Sequence, residues 1–366
     1  MNVCYSGFFG SYSGMGSACR AYIQSLIDAG VNVKTEYIKN ISSPYDLGVT
    51  YKNALERAGR GIDYKIKIIH TTPDLITKHL EPNKYHIFHL FWETDSLPDW
   101  WVWALNLVDE VWTGSEWNKQ AFIKSGVKKP IYVFPQPVTV EYKDPFTIKD
   151  FDGYLFYSIF QWIERKDPKS LLTAYWREFQ DDENVGLLLK TYKEGFTENE
   201  TMSVVKEIAT WKKELGQKKY PKVFLCPYGL SSDEMMRLHT TGDCFVSSHR
   251  GEGWGRNIAE AMALKKPVIA TNLGGIHEYL PIDTYFPVGY KMVNVFNMGF
   301  VPWYSEKQVW GQVDEDALRK NMRHVYENKE LAKMTAKKGQ EFVVKNMNSE
   351  EIGKLLRKRL EEIENG

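Results

Sequence analysis

The residues best equipped for chemistry fall between His249 and Glu278. Gly251, Gly253 and Gly255 form a glycine-rich turn between an expected strand over 244–248 and an expected helix over 256–264. The first N–H groups of a helix have no intrahelical partner, so such a turn aims backbone donors outward and is built to hold an anion. Its glycines also let a ligand come close to the backbone. Glu252 lies in the turn and Glu260 inside the helix, eight positions on. Two carboxylates beside an anion cradle suit a ligand that carries both hydroxyls and phosphate. The same spacing is equally that of a plain strand-to-helix turn with a solvated Glu252 and a surface Glu260.

The other reactive side chains are more scattered. His249 and His277 flank two glycine turns without Cys or Asp at ligand spacing, and no metal site is expected. His70 and His89 sit at strand ends and are expected to be structural. Six of the 12 Trp fall between Trp92 and Trp117, a concentration that needs a local cause. The run from His89 to Trp103 follows an expected strand and so lies at a carboxyl end, facing a cleft. Glu93 and Asp95 could there bond a ligand hydroxyl or serve only structure, while Trp100, Trp101 and Trp103 are expected to pack in the core of the next helix. A second aromatic segment, 295–304, reads either as a lid or as a loop packed on its own domain.

These groups need a frame, and the chain supplies one by alternating short β-rich runs with helical patterns, the mark of parallel sheets with crossover helices. Strands are expected over 2–5, 31–38, 64–69, 86–91, 110–113 and 131–134, then over 154–160, 186–191, 223–226, 244–248 and 268–271. Helices are expected over 16–28 and 115–124, the second with Ser115 as N-cap and Gly126 beyond its end. Between the two sets lies a proline-containing connector. The expected division is a first domain over 1–150, a second over 151–345, and a C-terminal helix over 346–366 whose apolar stripe packs back on the first domain.

Lys+Arg and Asp+Glu both number 47, so the formal net charge is zero. That argues against a broad nucleic-acid-binding face, which rests on many neutralised phosphates. Cys4, Cys19, Cys226 and Cys244 show no C-x-x-C spacing and are read as reduced thiols of a cytoplasmic protein. No signal-peptide pattern and no apolar run of about 18 residues is present, so membrane insertion is not expected, while peripheral contact stays open.

The string EGWGRNIAEAMA, followed by KKPVIA and GGIHE, resembles the donor-site signature of the retaining GT-B glycosyltransferases of family four. The segment SIFQWIERKDPKSLLTAYWREF is similar to the opening of that family's second domain, and the first domain is similar through its glycine-rich loop from Gly7 to Gly16 and through the Trp-rich stretch. The sequence departs from the family pattern at Trp254, Asn257, Lys266 and Gln161. The resemblance implies two Rossmann-like, doubly wound α/β domains facing a cleft, and transfer of a sugar from a nucleotide-diphosphate sugar to a hydroxyl of a glycan, lipid or small-molecule acceptor. It implies no cofactor and no metal.

By the same resemblance Glu252 bonds donor-sugar hydroxyls, Glu260 the ribose, and Lys166 with Arg165 the leaving diphosphate. Backbone or side chains of Gly253, Trp254, Gly255, Arg256 and Asn257 face sugar or phosphate. Gly274 and Gly275 face the diphosphate from the second turn, Tyr228 and Leu230 the nucleobase, and Gly14 belongs to the first-domain loop. Glu93 and Asp95 fall on the acceptor side. A non-catalytic sugar-nucleotide-binding protein, or a GT-B epimerase or phosphorylase, are the alternatives.

Overall fold

The computed structural model describes residues 1–11, 13–38 and 61–366; Tyr12 of the glycine-rich loop lies outside them. The first sheet is built from β1 (Asn2–Gly7), β2 (Asn32–Tyr37), β3 (Ile66–His70), β4 (Tyr85–His89), β5 (Glu110–Thr113) and β6 (Ile131–Val133). The second holds β7 (Tyr154–Gln161), β8 (Val185–Tyr192), β9 (Lys222–Cys226), β10 (Cys244–Ser247), β11 (Val268–Thr271) and β12 (Phe286–Val288). Both sheets are parallel, in the orders β2-β1-β3-β4-β5-β6 and β12-β11-β10-β7-β8-β9. Strands such as β3 are buried along their whole length, as a parallel sheet covered on both faces demands.

Each order reverses once, between β1 and β3 in the first sheet and between β7 and β10 in the second. Loops diverge from the carboxyl ends of strands at such a reversal, and the crevice they leave is where open α/β sheets take ligands. The loops after β7 and β10 carry Arg165, Lys166 and the turn at 251–255.

Two features go beyond the sequence expectation. A sixth strand, β12, completes the second sheet, and an antiparallel hairpin, β13 (Tyr290–Asn294) with β14 (Val309–Val313), brackets the aromatic segment. The loop between them reaches the first domain. The backbone of Asp95 donates to Val309 O at 3.2 Å, Val309 N donates back to Asp95 Oδ1 at 2.8 Å, and Gln308 Nε2 donates to Ser96 O at 3.1 Å. Tyr304 stacks on Trp92, and Trp303 packs against Trp101.

Of the three helix tryptophans expected in the core, Trp101 is buried, whereas Trp100 is 41% and Trp103 60% exposed. The helix Asp99–Leu105 buries a single face, made by Trp101, Ala104 and Leu105.

The last helix, Ser349–Asn365, lies against the helix Gly14–Asp28 of the first domain. Ile352, Leu356 and Leu360 are buried there, and a Cβ on Gly353 would come within 2.3 Å of Ser25 O. Arg359 Nη2 reaches Glu110 Oε2 at 2.6 Å. Among the described residues no helix is long and apolar enough to cross a membrane.

Candidate functional site

The glycine turn begins where β10 ends. Gly255 has φ +85, a conformation that side chains disfavour, and it caps the helix Arg256–Ala263. The turn is held from behind by Gly274 and Gly275. Gly275 N donates to Glu252 O at 2.8 Å, and a Cβ on Gly275 would lie 1.9 Å from Gly253 O. These two glycines therefore back the turn and do not form the cleft wall. From the other domain Ser115 Oγ donates to Gly253 O at 3.4 Å, and a Cβ on Gly251 would lie 2.0 Å from Glu93 O. The two domains meet backbone to backbone at this point.

Arg165 and Lys166 come from the short helical turn Glu164–Lys166 after β7. It is fixed to the glycine turn by two bonds, Arg250 N to Arg165 O at 2.8 Å and Ser248 Oγ to Asp167 O at 2.9 Å. Arg250 is the brace beneath it. Its guanidinium pairs with Asp167 at 3.0 Å and with Glu164, bonds Gln312, and stacks over Phe296.

Lys166 Nζ is ion-paired with Glu252 Oε1, and Arg165 Nη1 stands 3.6 Å from Glu252 Oε2. Burial alone would raise the Glu252 carboxyl, but Lys166 and Arg165 prevail and hold it at about 2. Burial draws the Lys166 ammonium below the ordinary lysine value against the pull of Glu252. Arg165 also donates to Gly251 O at 2.9 Å and lies 3.4 Å from Glu93 Oε1 across the cleft. Glu93 in turn accepts from Tyr304 Oη at 3.0 Å. One network thus joins both turns of the second domain, the first domain and the aromatic loop.

The remaining candidates divide. Gly14, Glu93, Leu230, Gly253, Gly255, Arg256, Asn257 and Glu260 line the cleft. Glu260 is buried, with Arg256 Nη2 at 2.7 Å and His239 Nε2 at 3.5 Å, so the surface placement that spacing allowed does not hold. Asn257 pins the helix start by donating to Ile159 O at 3.0 Å. Trp254 reaches the cleft only at its edge, with its ring packed on Tyr279 in the core. Asp95 is taken up by Lys124 and Val309 and joins the domains instead of facing the cleft. Tyr228 is 67% exposed and stands outside the cleft lining.

Arg250, Tyr304 and Trp92 complete the site; the sequence marked the Trp-rich stretch and the segment 295–304 without giving Trp92 or Tyr304 a role, and gave none to Arg250. Among the described residues no group of three or more His, Cys, Asp or Glu is placed to hold a metal ion.

The cleft has a volume of about 1550 Å³, more than the roughly 300–1,000 Å³ of an ordinary small-molecule pocket. Its second-domain wall offers cations and helix N–H groups to an anion and carboxylates to hydroxyls.

Comparison with known proteins agrees with this fold. Residues 161–281 match the model of the family described as glycosyl transferases group 1. Sucrose-phosphate synthase from Thermosynechococcus elongatus shares the fold over 99% of both chains, with a TM-score of 0.70 and 14% identity. HepE of Anabaena, solved with UDP and glucose, matches over 99% of this chain and 100% of its own, with a TM-score of 0.69 and 14% identity. A glycosyltransferase from Rickettsia africae matches over 98% of this chain and 97% of its own, with a TM-score of 0.63 and 16% identity. No curated protein matches the sequence.

Proposed function

We propose that the chain is a glycosyltransferase that moves a sugar from a nucleotide-diphosphate sugar to a hydroxyl acceptor, with retention of anomeric configuration and without a divalent metal. The observation that carries the reading is the cluster of Lys166, Arg165 and Glu252 at the start of the helix Arg256–Ala263, set where the second sheet's strand order reverses and faced by Glu93. The family match at 161–281 supports it, and so does the bound UDP and glucose of a protein with this fold.

The donor diphosphate would lie on the backbone N–H groups of the turn and compete with Glu252 for Lys166 and Arg165. Glu252, freed in part, accepts hydrogen bonds from the sugar hydroxyls, and Glu260 serves the ribose alongside. As the bond from the sugar to the diphosphate breaks, negative charge grows on the leaving oxygen, where two fixed cations stabilise it. The acceptor, a glycan, a lipid-linked sugar or a small molecule, enters over the first-domain wall near Glu93. Such a protein works in the cytoplasm or at a membrane surface and needs no cofactor.

The reading is tested by screening UDP-, GDP-, ADP- and dTDP-sugars for stabilisation of the protein and then following product by NMR in EDTA. An α-linked product from an α-linked donor, formed at an undiminished rate in chelator, is the expected result. An inverted product, or activity abolished by EDTA and restored by Mg²⁺, would refute the stereochemical and metal-free parts respectively.

A further inference from the structure

We propose that Lys190 reads the nucleobase of the donor and selects bases with a ring carbonyl oxygen, uracil, thymine or guanine, over adenine. The proposal rests on the donor-site reading above and names a specificity residue within it.

Lys190 is the charged residue of β8, VGLLLKTY, and follows five residues without a polar side chain. Alternation along a strand puts it on the same face as Leu188, whose cluster contains Ile258, Ala259 and Met262 of the donor-site helix. It is only 3% exposed, yet it lines the cleft. Among the described residues its ammonium makes no hydrogen bond and no ion pair. It lies 4.3 Å from the ring centre of Phe196 and 5.0 Å from that of Tyr192. Aromatic faces attract a cation but accept no hydrogen bond of ordinary strength, so they offset only part of the loss of water. Burial brings the ammonium down to about 8. A donor group this enclosed, on a residue that lines the cleft, is placed to be satisfied by a ligand atom.

Register shows which part of the ligand that is. Lys190 stands opposite Ile159 of β7, the residue whose carbonyl holds Asn257 at the start of the donor-site helix. On its other side it pairs with Cys226, just before the loop that brings Leu230 to the cleft. Neighbouring strands are about 4.8 Å apart. Lys190 is therefore displaced by one strand from β7, away from the glycine turn after β10. With the diphosphate on that turn and the ribose at Glu260, the next group of a nucleotide falls over the ends of β8 and β9. That group is the base.

An ammonium only donates. Uracil, thymine and guanine meet it with a carbonyl oxygen, whereas adenine carries an amino group where guanine carries O6. A site whose enclosed polar group is left without its partner discriminates strongly.

The test is calorimetric titration of wild type, Lys190→Met and Lys190→Arg with UDP, GDP, dTDP and ADP. Wild type is expected to bind at least one of the carbonyl-bearing nucleotides about tenfold or more tightly than ADP. Lys190→Met should lose about tenfold toward that nucleotide, the size of one charge-assisted hydrogen bond, and keep its ADP affinity within about threefold. Lys190→Arg should retain the preference. Met replaces a buried cation with an apolar chain of similar length, so its melting temperature should match or exceed that of wild type.

A uniform loss toward all four nucleotides would place the charge at the phosphates and overturn the assignment, as would unchanged binding or a wild type that favours ADP. If none of the four binds wild type, the donor-site reading itself falls, a result distinct from the others.

Discussion

At the scale of residues, the cluster of Lys166, Arg165 and Glu252 makes unequal demands on its members. Lys166 is in direct contact with Glu252, while Arg165 stands 3.6 Å away and is shared with Gly251 O and Glu93. Lys166→Ala should therefore lower turnover by ~10²–10³, the usual effect of losing one preorganised electrostatic contact. Turnover near that of wild type, measured at saturating donor, would transfer the diphosphate role to Arg165. Glu252 was legible in the sequence because it sits in a short glycine-rich string whose local form creates an anion site, whereas Lys166 was reached only through the resemblance of its segment to a known family. Arg250, Tyr304 and Lys190 were not legible, because their partners are distant in sequence. Arg250 meets Asp167, Tyr304 meets Glu93, and Lys190 meets the cleft. A lone lysine after a run of five residues without a polar side chain was the available signal for Lys190.

Among the elements, the turns are held by close backbone contacts and the tail helix by a buried charge. Gly275→Ala would drive a Cβ into Gly253 O and toward Ser115 Oγ, so the glycine turn must shift. A loss of about 1–3 kcal/mol is expected from such overpacking, read as a lower melting temperature together with weaker nucleotide binding. Gly14→Ala is the control. Nothing lies within 4 Å of its Cβ, and stability should stay within about 0.5 kcal/mol of wild type. Arg359→Ala would leave the fully buried Glu110 with Tyr85 Oη and Trp112 Nε1 as its side-chain donors among the described residues. Breaking a buried ion pair costs roughly 3–5 kcal/mol, and the two remaining bonds should reduce that to about 2–3 kcal/mol by chemical denaturation. A change below about 0.5 kcal/mol would mean that Glu110 is satisfied without its arginine. The parallel strands were legible because burial on both faces makes them continuous apolar runs. The hairpin was not, since β13 is largely exposed and shows no apolar period, and β12 is three residues long with Pro287 at its centre.

For the whole molecule, buried histidines set the response to acid. Burial holds His70 at about 3 and His249 at about 4. Each ring is neutral in the fold but takes up a proton once unfolded below its ordinary value of about 6.5. The unfolded chain then carries more protons, so stability is full above about 6.5 and falls as the pH drops toward 4, by about 1.4 kcal/mol per pH unit for each ring. Asp167, raised by burial to about 6, acts in the opposite direction and cancels about one ring's share between 4 and 6. Denaturation series at pH 7, 6 and 5 should show the net fall. Flat stability over that range would mean that the rings protonate within the fold. The two-sheet architecture was legible from alternation alone, but the loop that ties the domains at Asp95 was not, because its contacts exist only once both domains are built. That loop and the tail helix fasten the domains at two places besides the contact of the glycine turn with Ser115 and Glu93. Two bodies held at three points that do not lie on one line retain no rotation, so a ligand can enter the cleft only along its open mouth or after one fastening lets go. Cutting the Asp95 fastening would leave two, and with them a swing about the line that joins them.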